Sequence, residues 1–400
     1  MNLNQDFGVL WSDGESVSLI VGPNGSGKSS FLRKLARHYR GRRNVTVVCN
    51  TPHDRFEGLR YVKRVSLGRR NGSPKAVVKA AVAQSLDVDD SRFYFISATL
   101  KHCGYVPRFG FVIKPGRNFD AYLEELLYRE RRGSPEEISR RDEFVELEQA
   151  INYIRRIDLY EPFWIDARRS RYEFSIAREF ATVLRCERRL KSLGFLTGIE
   201  VYLERSFDGE VIEIRHASSG QLSLISTLLF VITFAGDEPV IILDEPENSL
   251  HPSWQRDYVA KLMDALNYRN ASVFIATHAP LVVTGALANS ADLVGLYEIR
   301  EGVPRRLDID ASETSTSSIE EILWRAFEVV TPANHFVSEQ IVAAMTDFEE
   351  GRISKVDLLE VIDDMDKHSF DGRQRRFFQA VRSLADEVED VRGGVGETDD

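Results

Sequence analysis

Cysteine is scarce: Cys49, Cys103 and Cys186 are the only three in 400 residues. They lie far apart and form no C-x-x-C pair or Cys/His cluster. That excludes a disulfide framework and a cysteine zinc site, and it fits a reducing compartment. Long apolar runs are lacking too. The most apolar stretch, Leu222–Ala235, is 14 residues long and broken by Ser223, Ser226, Thr227 and Thr233. A bilayer needs about 20 apolar residues, so a buried helix is expected there and no membrane contact. The first twenty residues carry Asp6, Asp13 and Glu15 but no basic residue, unlike a secretion signal. A cytoplasmic protein is the expectation. Positive charge is not in excess either: 52 Lys and Arg stand against 62 Asp and Glu, for a net −10. The chain as a whole is therefore no polycation built to coat nucleic acid. Most of the deficit is local, since residues 341–400 hold 16 acidic and 8 basic side chains. Internal repeats are absent.

What is present fits a folded protein of two to three domains, with 43% apolar and 28% charged residues. A strand pair is expected at Phe7–Leu10 and Val17–Val21 around Asp13-Gly14, then a helix with Phe31, Leu32 and Leu35 on one face. Val45–Val48 and Phe93–Ile96 read as short buried strands, and Pro52–Arg70 as a loop with an edge strand. Residues 117–193 have few glycines, dense charge and helix-period apolar positions (Tyr122, Leu126, Phe144, Leu147, Ile151, Ile154), as a helical insertion would. Within them, residues 168–191 carry eight basic and three acidic side chains. A solvated helix face is the leading explanation, and contact with DNA or RNA the other. A hairpin around Asp208-Gly209 follows, then a buried helix and strands at Val240–Leu243 and Val273–Ala276. This alternation indicates an α/β fold with a mostly parallel sheet. The expected division is 1–116, 117–193, 194–311 and a helical, acidic 312–400.

Gly22-Pro23-Asn24-Gly25-Ser26-Gly27-Lys28-Ser29 matches the P-loop pattern G-x-x-x-x-G-K-[ST], after an apolar strand and before a helix. The glycines let backbone N–H groups curl around phosphate oxygens at a helix N-terminus. Gly22, Asn24, Gly25, Ser26, Gly27, Lys28, Ser29 and Ser30 are the expected nucleotide-binding set. Lys28 would reach the β- and γ-phosphates of ATP, and the Ser29 hydroxyl would ligate Mg2+. Ile241-Ile242-Leu243-Asp244-Glu245 is an apolar strand ending in two carboxylates. Asp244 has the position for holding Mg2+, and Glu245 that of a base orienting the attacking water.

Two more pieces narrow the class. Ser218-Ser219-Gly220-Gln221 opens the buried helix and resembles the signature motif of ABC-type ATPases, in the form used by SMC and RecF-like proteins. Thr277-His278-Ala279 resembles their switch histidine, which makes His278 a candidate catalytic residue. Asp244-Glu245-Pro246-Glu247-Asn248-Ser249-Leu250-His251-Pro252 is similar to the D-E-P-E-x-x-L-H-P form of OLD-like and SMC/RecF-like members, and Asn50–Phe56 resembles a segment of prokaryotic antiviral ATPases. The resemblance covers roughly residues 1–100 and 195–300. It implies an ABC-type P-loop ATPase head with a short helical insertion and a helical C-terminal region. It also implies two copies, or a higher homo-oligomer, with the P-loop of one chain and Ser218-Ser219-Gly220-Gln221 of the other sandwiching each ATP.

Departures from the family pattern shape the functional expectation. Lys28 and Ser218 are 190 positions apart, too few for long coiled-coil arms. No Q-loop glutamine stands out, Gln84 falling in an expected helix, and only Phe7 and Trp11 offer themselves as adenine-stacking aromatics. An OLD nuclease would continue into a metal-binding Toprim domain. Here Asp363, Asp364 and Asp366 could mimic such a cluster, yet Leu358, Leu359, Val361, Ile362 and Met365 read as the apolar face of an ordinary helix. Ile319, Ile322, Leu323, Phe327, Phe377, Phe378, Val381 and Leu384 are expected to pack this region onto the ATPase core. The expectation is an ATPase subunit of an antiviral (anti-phage) defence complex controlling a separate nuclease of HNH or Toprim type. A RecF-like DNA-repair ATPase is the alternative, with a transporter subunit behind it.

Overall fold

Runs of Val, Ile and Leu lead into both nucleotide motifs, and the central sheet is built from those runs. A computed structural model describes residues 15–51, 53–67, 73–87, 92–116, 141–159, 161–166, 171–266, 269–300, 302–307, 327, 335–367, 378–379, 381–386 and 388–389. Strands β1 (Ser16–Val21), β2 (Val45–Cys49), β3 (Lys63–Ser66), β8 (Val240–Asp244), β9 (Ser272–Ala276), β10 (Val294–Arg300) and β11 (Val303–Leu307) form one sheet, in the order β11-β10-β1-β9-β8-β2-β3. Every pair is parallel except β10–β11. The inner strands are buried on both faces, which is why they read as unbroken apolar runs and not as alternations. Parallel pairing sends the carboxyl ends of β1, β9, β8 and β2 to one edge. In the register, Asp244 lies opposite both Cys49 and Ala276, and Ala276 opposite Ile20.

Helix α1 (Lys28–Tyr39) covers one face, burying Phe31, Leu32, Leu35, Ala36 and Tyr39 against Val47, Ile242 and Phe274. The other face carries α6 (Ser219–Phe234), α7 (Pro252–Leu266) and α8 (Pro280–Ser290). Helix α6 is apolar all round because α2 (Pro74–Asp87), α3 (Arg92–His102), α7 and β2 all pack on it. A second, antiparallel sheet has the order β5-β4-β6-β7, from β4 (Arg108–Pro115), β5 (Phe163–Asp166), β6 (Leu196–Glu204) and β7 (Val211–Glu213). The β6–β7 hairpin turns at Asp208-Gly209, with Gly209 at φ +72°. Helices α4 (Arg141–Ile154) and α5 (Arg171–Ser192) pack on each other, and α5 also packs on α2 and β6, with Phe180 against Phe111 and Phe163.

Three expectations need correction. Phe93–Ile96 is not a strand but the start of α3. Four apolar residues in a row suit a buried strand or a buried helix equally. The continuation decides: Ile96 and Leu100, one turn apart, are both buried on a helix that meets α6 and α7. Second, the stretch expected as a helical insertion contains strand β5, and the buried residues of α4 and α5 join the same core as β4, β6 and α6. Third, the C-terminal helices α9 (His335–Glu349) and α10 (Lys355–Lys367) pack on one another, and among the described residues their buried side chains do not join the main core. Ile341, Met345, Phe348, Leu358, Ile362 and Met365 form a separate cluster with Phe378 and Val381. Leu384 is half exposed, and among the described residues of the expected docking set only Phe327 packs on the main core. Phe7–Leu10, Tyr122, Leu126, Ile319, Ile322, Leu323 and Phe377 lie outside the described residues. Asp363 and Asp366 both hold Arg382, as on an ordinary solvated helix. Among the described residues no group of three or more His, Cys, Asp or Glu could hold a metal ion.

Candidate nucleotide-binding site

The loop between β1 and α1 depends on two glycines. A Cβ at Gly22 would sit 2.8 Å from the Ile299 carbonyl oxygen, and the backbone at φ +138° disfavours any side chain. Gly27 occupies the N-cap of α1 at φ +101° and offers no side chain to cap it. The first N–H groups of the helix are thus left for an anion. Gly302 N–H donates to the Ser26 carbonyl at 3.1 Å, which ties the loop to the β10–β11 turn. Lys28 is buried, and its ammonium donates to the carbonyls of Gly22 (2.7 Å) and Pro23 (3.0 Å). Burial pulls its pKa down, while Glu245, Asp244 and Glu247 oppose that pull.

The P-loop meets the acidic strand end directly. Ser29 Oγ donates to Asp244 Oδ1 at 3.0 Å, across 215 positions of sequence. The second oxygen, Asp244 Oδ2, is buried and has no hydrogen-bond partner among the described residues. Burial, with Glu245 and Glu247 nearby, pushes the Asp244 carboxyl up to about 6, against the Ser29 hydrogen bond. Glu245, one residue on, is held in the opposite sense. His278, whose Nε2 lies 3.5 Å from Glu245 Oε1, keeps that carboxyl below its ordinary range, and Asn248 Nδ2 donates to Oε2 at 3.0 Å. Glu245 sits at φ +52°, a strained conformation for a non-glycine residue. Glu247 is buried and accepts the His278 backbone N–H at 2.6 Å, with its pKa raised by burial. Oxygen donors alone, one of them an unpartnered buried carboxylate oxygen, suit a hard divalent cation such as Mg2+. Ser29 and Asp244 fit that group.

Lys28, Ser29, Asp244, Glu245 and His278 are therefore brought together at one edge. Asn24 and Gly25 project into solvent there, beside half-buried Ser26 and Ser30. Ser218-Ser219-Gly220-Gln221 is elsewhere: among the described residues no hydrogen bond joins it to Gly22–Ser30. Ser218 is the N-cap of α6 in a reciprocal capping box with Gln221. The Gln221 side chain also accepts from the Tyr105 hydroxyl (2.8 Å) and donates to the Cys103 carbonyl (2.9 Å), so its amide is used within its own chain. Ser218 and Ser219 are exposed.

Asn50 and Asn248 fall in motifs that the sequence offers, but sequence reasoning missed that they connect these parts. Asn50, directly after β2, donates to Ser223 Oγ of α6 and to the Asn248 carbonyl, both at 3.0 Å, while Asn248 donates back to the Asn50 carbonyl at 3.2 Å. A Cβ on Gly220 would lie 2.5 Å from the Ser249 carbonyl oxygen, so α6 begins hard against the turn that follows β8. The available signal for Asn50 was its place at the end of an apolar run, next to the strand that carries Asp244. Gln84 lies in α2, whereas Phe7 and Trp11 fall outside the described residues.

Residues 107–284 match the family described as "AAA domain, putative AbiEii toxin, Type IV TA system". They contain Ser218–Gln221, Asp244, Glu245 and His278 but begin downstream of the P-loop, which the fold supplies from β1 and α1. A curated relative, "Protein ea59" of Escherichia phage lambda, is 35% identical over 66 residues, 16% of this chain and 13% of that protein. The match thus spans a small part of the relative's length. Among solved structures, the ADP conformation of MJ1267, an ATP-binding cassette of an ABC transporter, is 13% identical over 79% of this chain and 87% of its own, with TM-score 0.30. The Smc head domain with an extended coiled coil bound to the C-terminal domain of ScpA, from Pyrococcus furiosus, is 12% identical over 74% and 90%, with TM-score 0.26. Overlaps this low add nothing to the strand order given above. No helix among the described residues is long and apolar enough to cross a membrane. The fold is mixed α/β, a mainly parallel sheet with a P-loop between β1 and α1, and residues 107–284 are similar to an AAA domain.

The raised Asp244 pKa has a consequence for stability. A carboxyl that titrates near 6 when folded costs stability as pH rises from about 4 through 6, and the cost is complete at pH 8. Asp244→Asn should therefore raise the melting temperature of the nucleotide-free protein at pH 8, by at most about 3 kcal/mol of stability. The gain should shrink as pH falls from 6 toward 4. Thermal melts across that range check this, and a loss of stability at pH 8 would contradict it.

Proposed function

We propose that this chain binds ATP with Mg2+ and hydrolyses it as an ABC-type ATPase. Two copies close head to tail on the nucleotide, and the cycle controls a separate nuclease effector of an antiviral complex. The observation that carries the hydrolytic reading is the pairing of Ser29 with Asp244, directly beside a Glu245 pinned by Asn248 and His278. Lys28 exchanges the carbonyls of Gly22 and Pro23 for phosphate oxygens, an exchange that keeps a buried ammonium satisfied. Ser29 and Asp244 would hold Mg2+, which when bound neutralises charge on the β- and γ-phosphates. Glu245, kept ionised by its neighbours at neutral pH, orients the attacking water and accepts its proton. Asn248 fixes one carboxylate oxygen so that the other faces His278.

The exposure of Ser218 and Ser219, unengaged by their own P-loop, supports a signature that acts on a second copy's nucleotide. The family description names a toxin of a toxin–antitoxin system, and the curated relative is a phage protein. Both support a role between phage and host. The separate effector is favoured by the C-terminal helices, which close on their own apolar core and pair Asp363 and Asp366 with Arg382.

Glu245→Gln should leave ATP and Mg2+ binding intact and slow hydrolysis by roughly a hundredfold or more. Comparing the ATP Kd with the single-turnover rate checks this, and a wild-type rate would remove Glu245 from its role. Lys28→Ala and Ser218→Arg should each be inactive alone. Mixed and allowed to exchange, they should regain activity, because one of the two sites then combines an intact P-loop with an intact signature. No rescue after confirmed subunit exchange would place each site within one chain.

A further inference from the structure

The net charge of −10 conceals a surface of the opposite sign. Residues 33–64 contain ten Lys and Arg, eight of them Arg, against two carboxylates, Asp54 and Glu57. The fold gathers this stretch on one side of the main sheet. Leu32 and Leu35 of α1, with Phe56, Leu59 and Val62 of the β2–β3 connection, enter the same core, which leaves their outer faces adjoining. A cleft of about 490 Å3 lies between Arg33, Lys34 and Arg37 of α1 and Arg55 of the connection, bridged by Arg55 Nη1 donating to Ser30 Oγ at 3.0 Å. A second, of about 480 Å3, is lined by Arg42, Arg43, Tyr61 and Lys63. Four carboxylates border the two clefts. Asp54 is held by Arg64 at 2.8 Å, Glu57 lies in the first cleft, and Asp237 and Glu238 line the second, so the basic excess persists.

Tyr61 adds a different kind of observation. It is 88% exposed, and its backbone is at φ +62°. A bulky residue in the left-handed region costs free energy, and at this exposure the face of the ring is open to a partner. Basic side chains that follow a phosphate backbone, interleaved with an aromatic on which a base can stack, are the chemistry of single-strand recognition. Arginine suits it further through bidentate contacts to phosphate. The basic run at 168–191 is a weaker candidate: Arg185 pairs with Glu146 and Lys191 with Glu187, and Arg168 and Arg169 lie outside the described residues.

We infer that this side of the head binds single-stranded nucleic acid, with α1 and the β2–β3 connection tracking phosphates and Tyr61 stacking on a base. The inference does not depend on the nuclease-control reading. At 1.5 Å per residue, the 12 residues of α1 run for about 18 Å.

Fluorescence anisotropy of the full chain with labelled oligo-dT and oligo-rU of thirty nucleotides, and with a duplex of equal length, tests this between 50 and 200 mM salt. Single strands should bind more tightly than duplex, and the better of dT and rU identifies DNA or RNA as the ligand. The triple variant Lys34→Ala, Arg37→Ala, Arg42→Ala should weaken binding at least tenfold and reduce the log–log salt slope by about two. Tyr61→Ala should weaken it about tenfold with the slope unchanged. The basal ATPase rate of both variants should match wild type, which excludes misfolding as the cause. No binding at 50 mM salt would overturn the inference, as would unchanged affinity in the triple variant. Displacement by polyglutamate at equal charge would reassign the surface to an acidic protein, and a duplex preference with Tyr61→Ala silent would refute the stacking role.

Discussion

Parallel pairing of β1, β9, β8 and β2 is the constraint on which the rest of this molecule depends. Buried on both faces, these strands fix their register through their apolar side chains, and all four end at one edge. The consequence is chemical. Ser29 and Asp244, 215 positions apart, come within hydrogen-bond distance because β9 alone separates the strands that deliver them. Asn50 and His278 reach the same edge from β2 and β9, so four separate chain segments meet without a long loop between them.

The edge sets two adjacent carboxylates in opposite electrostatic states. Asp244, walled in by the sheet, resists ionisation, whereas Glu245 turns outward through a left-handed residue toward His278 and Asn248 and ionises readily. The two roles proposed for them, cation ligand and base, would thereby be separated by one peptide unit. The strain at Glu245 is held by neighbours that over-determine it: its own N–H donates to the Ala276 carbonyl at 2.9 Å, and Asn248 and Asn50 clamp each other. Through Ser223 the same clamp reaches α6, so that helix and the turn after β8 form one hydrogen-bonded unit.

Local pattern carried the fold where local pattern decides it. The P-loop, the β8 carboxylates and the all-apolar α6 could be read from the chain because each is a contiguous run with its own physical reason. Phe93–Ile96 could not, since four apolar residues do not distinguish strand from helix, and the packing of α3 against α6 settles the matter. Strand β5 escaped for a similar reason: four residues between charged helices gain their identity only by pairing with β4. Asn50 and Asn248 are ordinary loop asparagines until the sheet brings them together. The C-terminal helices announce an apolar face, but a face does not name its partner, and here the partner is the neighbouring helix.

The central claim is that Ser29 and Asp244 complete one metal–nucleotide site with the P-loop. Mn2+ in place of Mg2+ tests it through pulsed electron–nuclear double resonance on the protein with a non-hydrolysable ATP analogue. The account predicts phosphorus hyperfine coupling to protein-bound Mn2+ in wild type, with weaker Mn2+ binding in Ser29→Ala and loss of the bound signal when Asp244 is replaced by Ala. Mn2+ that binds beside the phosphates with equal affinity in both variants would contradict it.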